Sequence, residues 1–367
     1  MESNANRVKQ IHDLGQSIWL DFFDRKIMNN GELQQLIDND GVRGVTSNPA
    51  IFEKAISSSS DYDSDIAEMV KGSSSNDDIF FSMAIKDIQR AADLFKPVYD
   101  SSNGLDGFVS LEVNPHLALD TAGTVKQAEE LWKKLDRENV MIKIPATEPG
   151  LAAIEKCISE GINVNITLLF GLDRYRAVTD AYISGLEQRV QKGQPIDKIA
   201  SVASFFLSRI DVLIDPVLEE KGLGNLKGEV AIAMAKKAYE IYKEVFWSDR
   251  FKKLEEKGAK KQHLLWASTS SKDPSFSDVK YVDALIGKDT INTIPMETLE
   301  AFRDHGTVES HLEDDLDHAD EVLQKIKEKG IDIDEISQRL EDEGIEKFNK
   351  PYDKLMAAIE TQKNKSR

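Results

Sequence analysis

Short apolar runs rich in β-branched residues alternate along this chain with longer stretches whose apolar residues recur every three or four positions. The short runs predict strands at Ser17–Phe22, Val42–Thr46, Gly107–Glu112, Val140–Ile144, Ile162–Ile166, Ile199–Ser204, His263–Ser268 and Thr290–Ile294. The longer ones, including Thr124–Leu135, Gly150–Ser159, Leu172–Gln191 and Gly228–Phe246, predict helices. Eight such β-α alternations predict an α/β fold, a parallel sheet closed into a (β/α)8 TIM barrel with extra peripheral helices. An open doubly wound sheet is the alternative. No Gly-x-Gly-x-x-Gly or phosphate-loop motif follows the first strand, which counts against a nucleotide-binding version of it.

Two stretches stand outside the alternation. Within a helical insertion around residues 57–100, the segment Ser57–Asp78 is rich in Ser and Asp and reads as exposed, with a short helix expected at Asp61–Lys71. From Thr307 onward the chain is mostly charged, with apolar residues such as Leu316, Val322, Leu323 and Ile326 at helical spacing. Residues 307–367 are therefore expected as helices packed on the barrel exterior, in the same domain as residues 1–306.

Composition narrows the function classes. Lys+Arg is 47 against 65 Asp+Glu in 367 residues, a formal net charge of -18. Such an acidic surface argues against nucleic-acid binding. Met1–Gln10 lacks the apolar stretch of a signal peptide, and no run is apolar enough to suggest a membrane span. Cytoplasm is the expected compartment. The single cysteine, Cys157, allows no internal disulfide and falls in a helical pattern that suggests core packing. The six histidines show no metal-ligand spacing, so no metal is expected.

In a barrel of this kind, function gathers at the C-terminal ends of the strands. Asp21 lies at the end of the first expected strand; Thr46, Ser47 and Asn48 close the second, and Glu112 the third. Lys143 lies in the fourth. Asn165 and Thr167 end the fifth, Ser204 ends the sixth with Arg209 just beyond, and Ser268 leads on to Lys272 after the seventh. Taken singly, each has a structural explanation. A lysine can pack its stem and reach water, a carboxylate or asparagine can cap a helix, and cations are common on surfaces. Together they say more. An amine flanked by apolar residues and two carboxylates at neighbouring strand ends would converge on one cavity. That set suits imine formation and proton transfer, because a desolvated amine presents its neutral, nucleophilic form more readily. Arg209 and Lys272 at adjacent strand ends of an acidic chain suggest a local phosphate site.

Six blocks, one per successive strand end, resemble the longer bacterial transaldolases. They are Ser17-Ile18-Trp19-Leu20-Asp21, Gly44-Val45-Thr46-Ser47-Asn48-Pro49, Ser110-Leu111-Glu112-Val113, Met141-Ile142-Lys143-Ile144-Pro145-Ala146-Thr147, the run from Gly161 to Phe170, and Ser204-Phe205-Phe206-Leu207-Ser208-Arg209. The resemblance covers about Ile11 to Asp304. It implies a barrel with its Schiff-base lysine on the fourth strand, and transfer of a dihydroxyacetone unit from sedoheptulose 7-phosphate to glyceraldehyde 3-phosphate in the pentose phosphate pathway. It implies sugar-phosphate substrates and no metal or organic cofactor. Monomer and homodimer both stay open. By position, Lys143 matches the nucleophile, Asp21 the acid/base at bond cleavage, and Glu112 a proton shuttle through a water that Thr167 would hold. Asn48, Asn165 and Ser204 would bind the hydroxyls of the three-carbon unit, and Arg209 the phosphate. Shorter transaldolases carry a phosphate-gripping arginine after the seventh strand. This chain departs from them there, and Ser268 and Lys272 are expected to substitute. Fructose 6-phosphate aldolases share the barrel and lysine but release free dihydroxyacetone, with glutamine near the Glu112 position and tyrosine near Phe206. Here Phe206 cannot protonate the enamine, which favours transfer. A non-catalytic sugar-phosphate-binding barrel is the remaining alternative, and it would need no nucleophilic amine.

Overall fold

The structure, a computed structural model, describes residues 6–70 and 75–365. Eight parallel strands close a barrel in sequence order: β1 (Gln16–Leu20), β2 (Gly44–Val45), β3 (Phe108–Glu112), β4 (Val140–Pro145), β5 (Val164–Leu169), β6 (Ser201–Phe206), β7 (His263–Ala267) and β8 (Thr290–Ile294). β8 returns to pair with β1, with Trp19 opposite Thr293 and Leu20 opposite Ile294. All eight expected strands are present. Three differ in ways that matter. β2 is cut to two residues because the chain turns at Thr46 to start the helix Pro49–Ser58, which Asn48 caps by accepting from Ile51 N at 3.0 Å. β5 and β6 run further than expected, so Asn165 and Ser204 lie within strands and not at their ends. A register shift between Ile166 and Leu169, with Leu168 at φ 55°, marks a bulge in β5.

Strand side chains alternate between the two faces of the sheet. Outward residues such as Ile18, Leu20, Ile142, Ile144 and Ile166 pack beneath the surrounding helices. Inward residues fill the barrel. At its lower end Trp19 stands beside Gly44, and its Nε1 donates to Asp106 at 2.8 Å. Asp106 also accepts from Arg43 Nε at 2.8 Å and from Ser17 Oγ, which closes the base with a satisfied polar cluster. Gly44 is required by close approach: a Cβ there would meet the Trp19 ring at 2.6 Å and the Phe108 carbonyl oxygen at 2.8 Å.

The insertion forms the helices Asp63–Val70 and Asn76–Ser101; the expected residue Lys71 lies outside the described residues. It is less exposed than its composition suggested, since Tyr62 and Ile66 are buried. Arg25 holds it, bonding to Asp65 at 2.7 Å and to Asp87 at 2.9 Å, with its guanidinium 4.1 Å from the Tyr62 ring centroid. The C-terminal segment forms helices at Leu316–Glu328 and Ile333–Lys365. Both helices lie outside the strand barrel, and the second also reaches over its mouth. This second helix packs on Pro49–Ser58, on both insertion helices and on Ser208–Glu220, and it delivers Phe348 to the barrel mouth.

Gly44→Ala should destabilise the fold by about 1–3 kcal/mol through overpacking against Trp19. Thermal unfolding should show a Tm lower by several degrees, and an unchanged Tm would remove Trp19–Gly44 packing as a constraint on the barrel base.

Candidate active site

Register brings the site together. Glu112 stands opposite Lys143, and Lys143 opposite Asn165, so side chains of three successive strands project side by side into the barrel. All three are buried, Lys143 at 4% and Glu112 at 4% exposure. Lys143 Nζ donates to the Ser47 carbonyl oxygen at 3.2 Å and lies 3.9 Å from Glu112 Oε2. Ser47 is itself fixed, its Oγ donating to the Ser110 carbonyl oxygen at 2.7 Å. Asn165 Nδ2 donates to Ser110 Oγ at 3.0 Å, and Ser204 Oγ donates to Asn165 Oδ1 at 2.7 Å. A polar ladder across β3, β5 and β6 thus orients the Asn165 amide.

On the opposite wall Asp21 follows β1. Its carboxylate accepts from Thr46 Oγ1 at 2.8 Å, and Thr46 Oγ1 lies 2.8 Å from Thr293 Oγ1. Asp21, Asn48, Lys143, Ser204, Phe206, Arg209, Ser268 and Lys272 line one cavity of about 270 Å³ at the C-terminal end of the barrel. Glu112, Asn165 and Thr167 do not line it; Asn165 is bonded to the lining residue Ser204, and Glu112 approaches Lys143. Both carboxylate oxygens of Glu112 and the Thr167 hydroxyl are buried without a hydrogen-bond partner. A larger cavity of about 460 Å³ opens outside the barrel, where Glu148 and Arg174 face Glu341. It holds no buried amine, so the smaller, better enclosed cavity is the candidate site.

The electrostatics suit proton transfer. Burial pushes the Glu112 carboxyl up to about 7, with the nearby Asp21 charge adding to the rise and Lys143 opposing it. Burial likewise raises Asp21, against the pull of Lys143, the Thr46 hydrogen bond and Arg209. Burial depresses Arg209, while Asp21 and Glu112 favour its charged form. The Arg209 guanidinium carbon lies 5.3 Å from the Phe206 ring centroid, and its Nη1 is buried without a hydrogen-bond partner.

The phosphate residues are less uniform. Arg209 sits in the first turn of the helix Ser208–Glu220, whose first amide, Ser208 N, donates to the Ser268 carbonyl oxygen at 3.0 Å. Ser268 adopts a left-handed conformation at φ 55°, and its hydroxyl lies 2.8 Å from that of Ser208. Lys272 is at the exposed rim, bonded to Ser270 Oγ at 2.5 Å. It lines the cavity without penetrating it. Sequence reasoning missed Phe348, because a phenylalanine in a charged helical tail looks like ordinary packing. It also gave no role to Thr293, or to Glu297 in the helix after β8, although Thr46 had been recognised at a strand end. Among the described residues, no cluster of three or more His, Cys, Asp or Glu is placed to hold a metal ion, and no helix is long and apolar enough to cross a membrane.

Fold and site together define a (β/α)8 barrel with a buried amine between carboxylates at the C-terminal end of its strands. The chain belongs to the transaldolase/fructose-6-phosphate aldolase family. The family model described as "Transaldolase/Fructose-6-phosphate aldolase" matches residues 18–359. A transaldolase of Trichodesmium erythraeum is 49% identical, with 97% of each chain covered. A transaldolase of Saccharopolyspora erythraea is 47% identical over 99% of each chain, and transaldolase 2 of Nostoc punctiforme is 46% identical over 97% of each.

A carboxyl raised on folding binds more protons in the native state, so its contribution to stability falls as pH rises from the unfolded value toward about 7. Glu112→Gln removes that contribution. The Tm of the variant relative to the parent should therefore rise by a few degrees between about pH 5 and about pH 8. A difference that stays flat across that range would show that Glu112 is not raised.

Proposed function

We propose that this chain is a transaldolase, moving a dihydroxyacetone unit from sedoheptulose 7-phosphate to glyceraldehyde 3-phosphate and yielding erythrose 4-phosphate and fructose 6-phosphate. The observation that carries the mechanism is Lys143 Nζ, buried in the barrel 3.9 Å from a Glu112 carboxylate oxygen. The amine adds to the ketone carbon, and loss of water leaves a protonated imine. Asp21 takes the proton from the hydroxyl beside the scissile carbon–carbon bond. That bond breaks, the first aldehyde leaves, and the electron pair rests in an enamine on Lys143. The enamine carbon then attacks the aldehyde carbon of the acceptor. Asp21 returns its proton, and water hydrolyses the imine.

Glu112 shuttles protons through a water during imine formation and hydrolysis. Its unpartnered oxygens and the unpartnered Thr167 hydroxyl are suitable ligands for that water, and a carboxyl near 7 can both give and take a proton at neutral pH. Asn165 and Ser204, already joined, present amide and hydroxyl groups to the three-carbon unit. Asn48 faces the same space, its carbonyl engaged at the helix cap. Arg209 receives the phosphate, with Ser268 beside it and Lys272 at the rim. The single buried thiol, Cys157, fits a reducing cytoplasm, and the reaction itself belongs to the non-oxidative pentose phosphate pathway.

Aldolysis with release of free dihydroxyacetone is the competing outcome on this scaffold. Phe206 opposes it, since its ring lines the cavity and has no proton to give the enamine. An assay coupled to fructose 6-phosphate formation, run with and without acceptor aldehyde, separates the two. Product should form from sedoheptulose 7-phosphate only when acceptor is present, and folded Lys143→Ala should be inactive. Release of free dihydroxyacetone at a comparable rate without acceptor would reject the transferase reading.

A further inference from the structure

Every residue lining the candidate cavity comes from a strand, the loop that follows it or the first turn of the next helix, except Phe348. That side chain arrives from the helix Ile333–Lys365 and is 7% exposed. Its ring centroid lies 5.8 Å from the Arg209 guanidinium carbon and 6.0 Å from Lys143 Nζ. Phe206 approaches Arg209 from its own side at 5.3 Å. The guanidinium is thus flanked by two aromatic rings while one of its terminal nitrogens has no hydrogen-bond partner.

The helix is fastened on both sides of Phe348. Toward its start, Ser337 Oγ donates to the Phe170 carbonyl oxygen at 3.3 Å, and Arg174 pairs with Glu341 at 3.5 Å. Beyond it, the Tyr352 hydroxyl donates to Asp77 at 2.5 Å, and His116 pairs with Asp353 at 2.8 Å. The Tyr352 ring also meets Phe80 edge-on at 5.8 Å. These contacts join the helix to the β5 loop, the insertion and the β3 loop, so the position of Phe348 is fixed by three separate parts of the chain.

We infer that Phe348 is a positioning residue that sets phosphate specificity by holding the Arg209 fork. This rests on the reading of Arg209 as the phosphate ligand. An arginine with few hydrogen bonds of its own keeps many rotamers open. Two aromatic faces restrict the guanidinium plane and leave its N–H groups directed at an anion, at the cost of little hydrogen-bonding capacity. The same ring also lies 6.0 Å from the amine of Lys143.

The test compares kcat/KM for glyceraldehyde 3-phosphate with kcat/KM for unphosphorylated glyceraldehyde as acceptors. Phe348→Leu, which keeps bulk but loses the aromatic face, should lower the ratio of the two about tenfold. Phe348→Tyr should restore it. In an Arg209→Ala background, Phe348→Leu should lower the ratio no further. An unchanged ratio in Phe348→Leu, or a further fall without Arg209, overturns the inference. A parent protein that transfers the three-carbon unit to neither acceptor contradicts the transaldolase reading itself, whereas normal transfer with an unmoved ratio contradicts only the role of Phe348.

Discussion

Lys143 and Glu112 stand as registered neighbours on β4 and β3, with their charged atoms 3.9 Å apart in the barrel interior. Removing an ammonium and a carboxylate from water costs several kcal/mol for each ion, and their attraction offsets this only with good geometry. This pair has no direct hydrogen bond. The surrounding structure must therefore hold the groups in place. The Ser47 carbonyl meets the amine, the ladder of Ser110, Asn165 and Ser204 stiffens the adjoining strands, and the Trp19–Asp106 cluster closes the base. The response of Glu112 is to shift upward toward neutrality. A buried, perturbed pair of this kind beside an open cavity is what a proton-transferring site requires.

The barrel was legible because its signal is periodic. Strands such as Val140–Pro145 and Thr290–Ile294 are buried along their whole length, as strands between a barrel core and outer helices must be, and β-branched residues mark both. A charge inside such a run stands out, which marks Lys143, whereas Glu112 and Asn165 are marked by their place near the ends of expected strands. Strand ends were harder. Asn165 and Ser204 fall within β5 and β6 because the pairing continues past a bulge that no local pattern announces. Lys272 was chosen for its charge and position, yet the loop after β7 leaves it at the rim.

Phe348 shows the other limit. Local periodicity tells which face of a helix is apolar but not what that face covers. The contacts that decide it, Tyr352 with Asp77 and His116 with Asp353, join residues far apart in sequence. The C-terminal helix looks peripheral in the sequence, but in the fold it packs on the insertion helices and places Phe348 in the wall of the cavity. In this way a segment outside the β-α repeat reaches the candidate site.

The central claim is that Lys143 forms a covalent imine with the ketose. Borohydride reduction in the presence of fructose 6-phosphate, followed by peptide mass mapping, tests it most directly. The account predicts a single reduced adduct on the peptide carrying Lys143, and none in Lys143→Ala. Unmodified Lys143 in an active protein, or an adduct on another lysine, would contradict it.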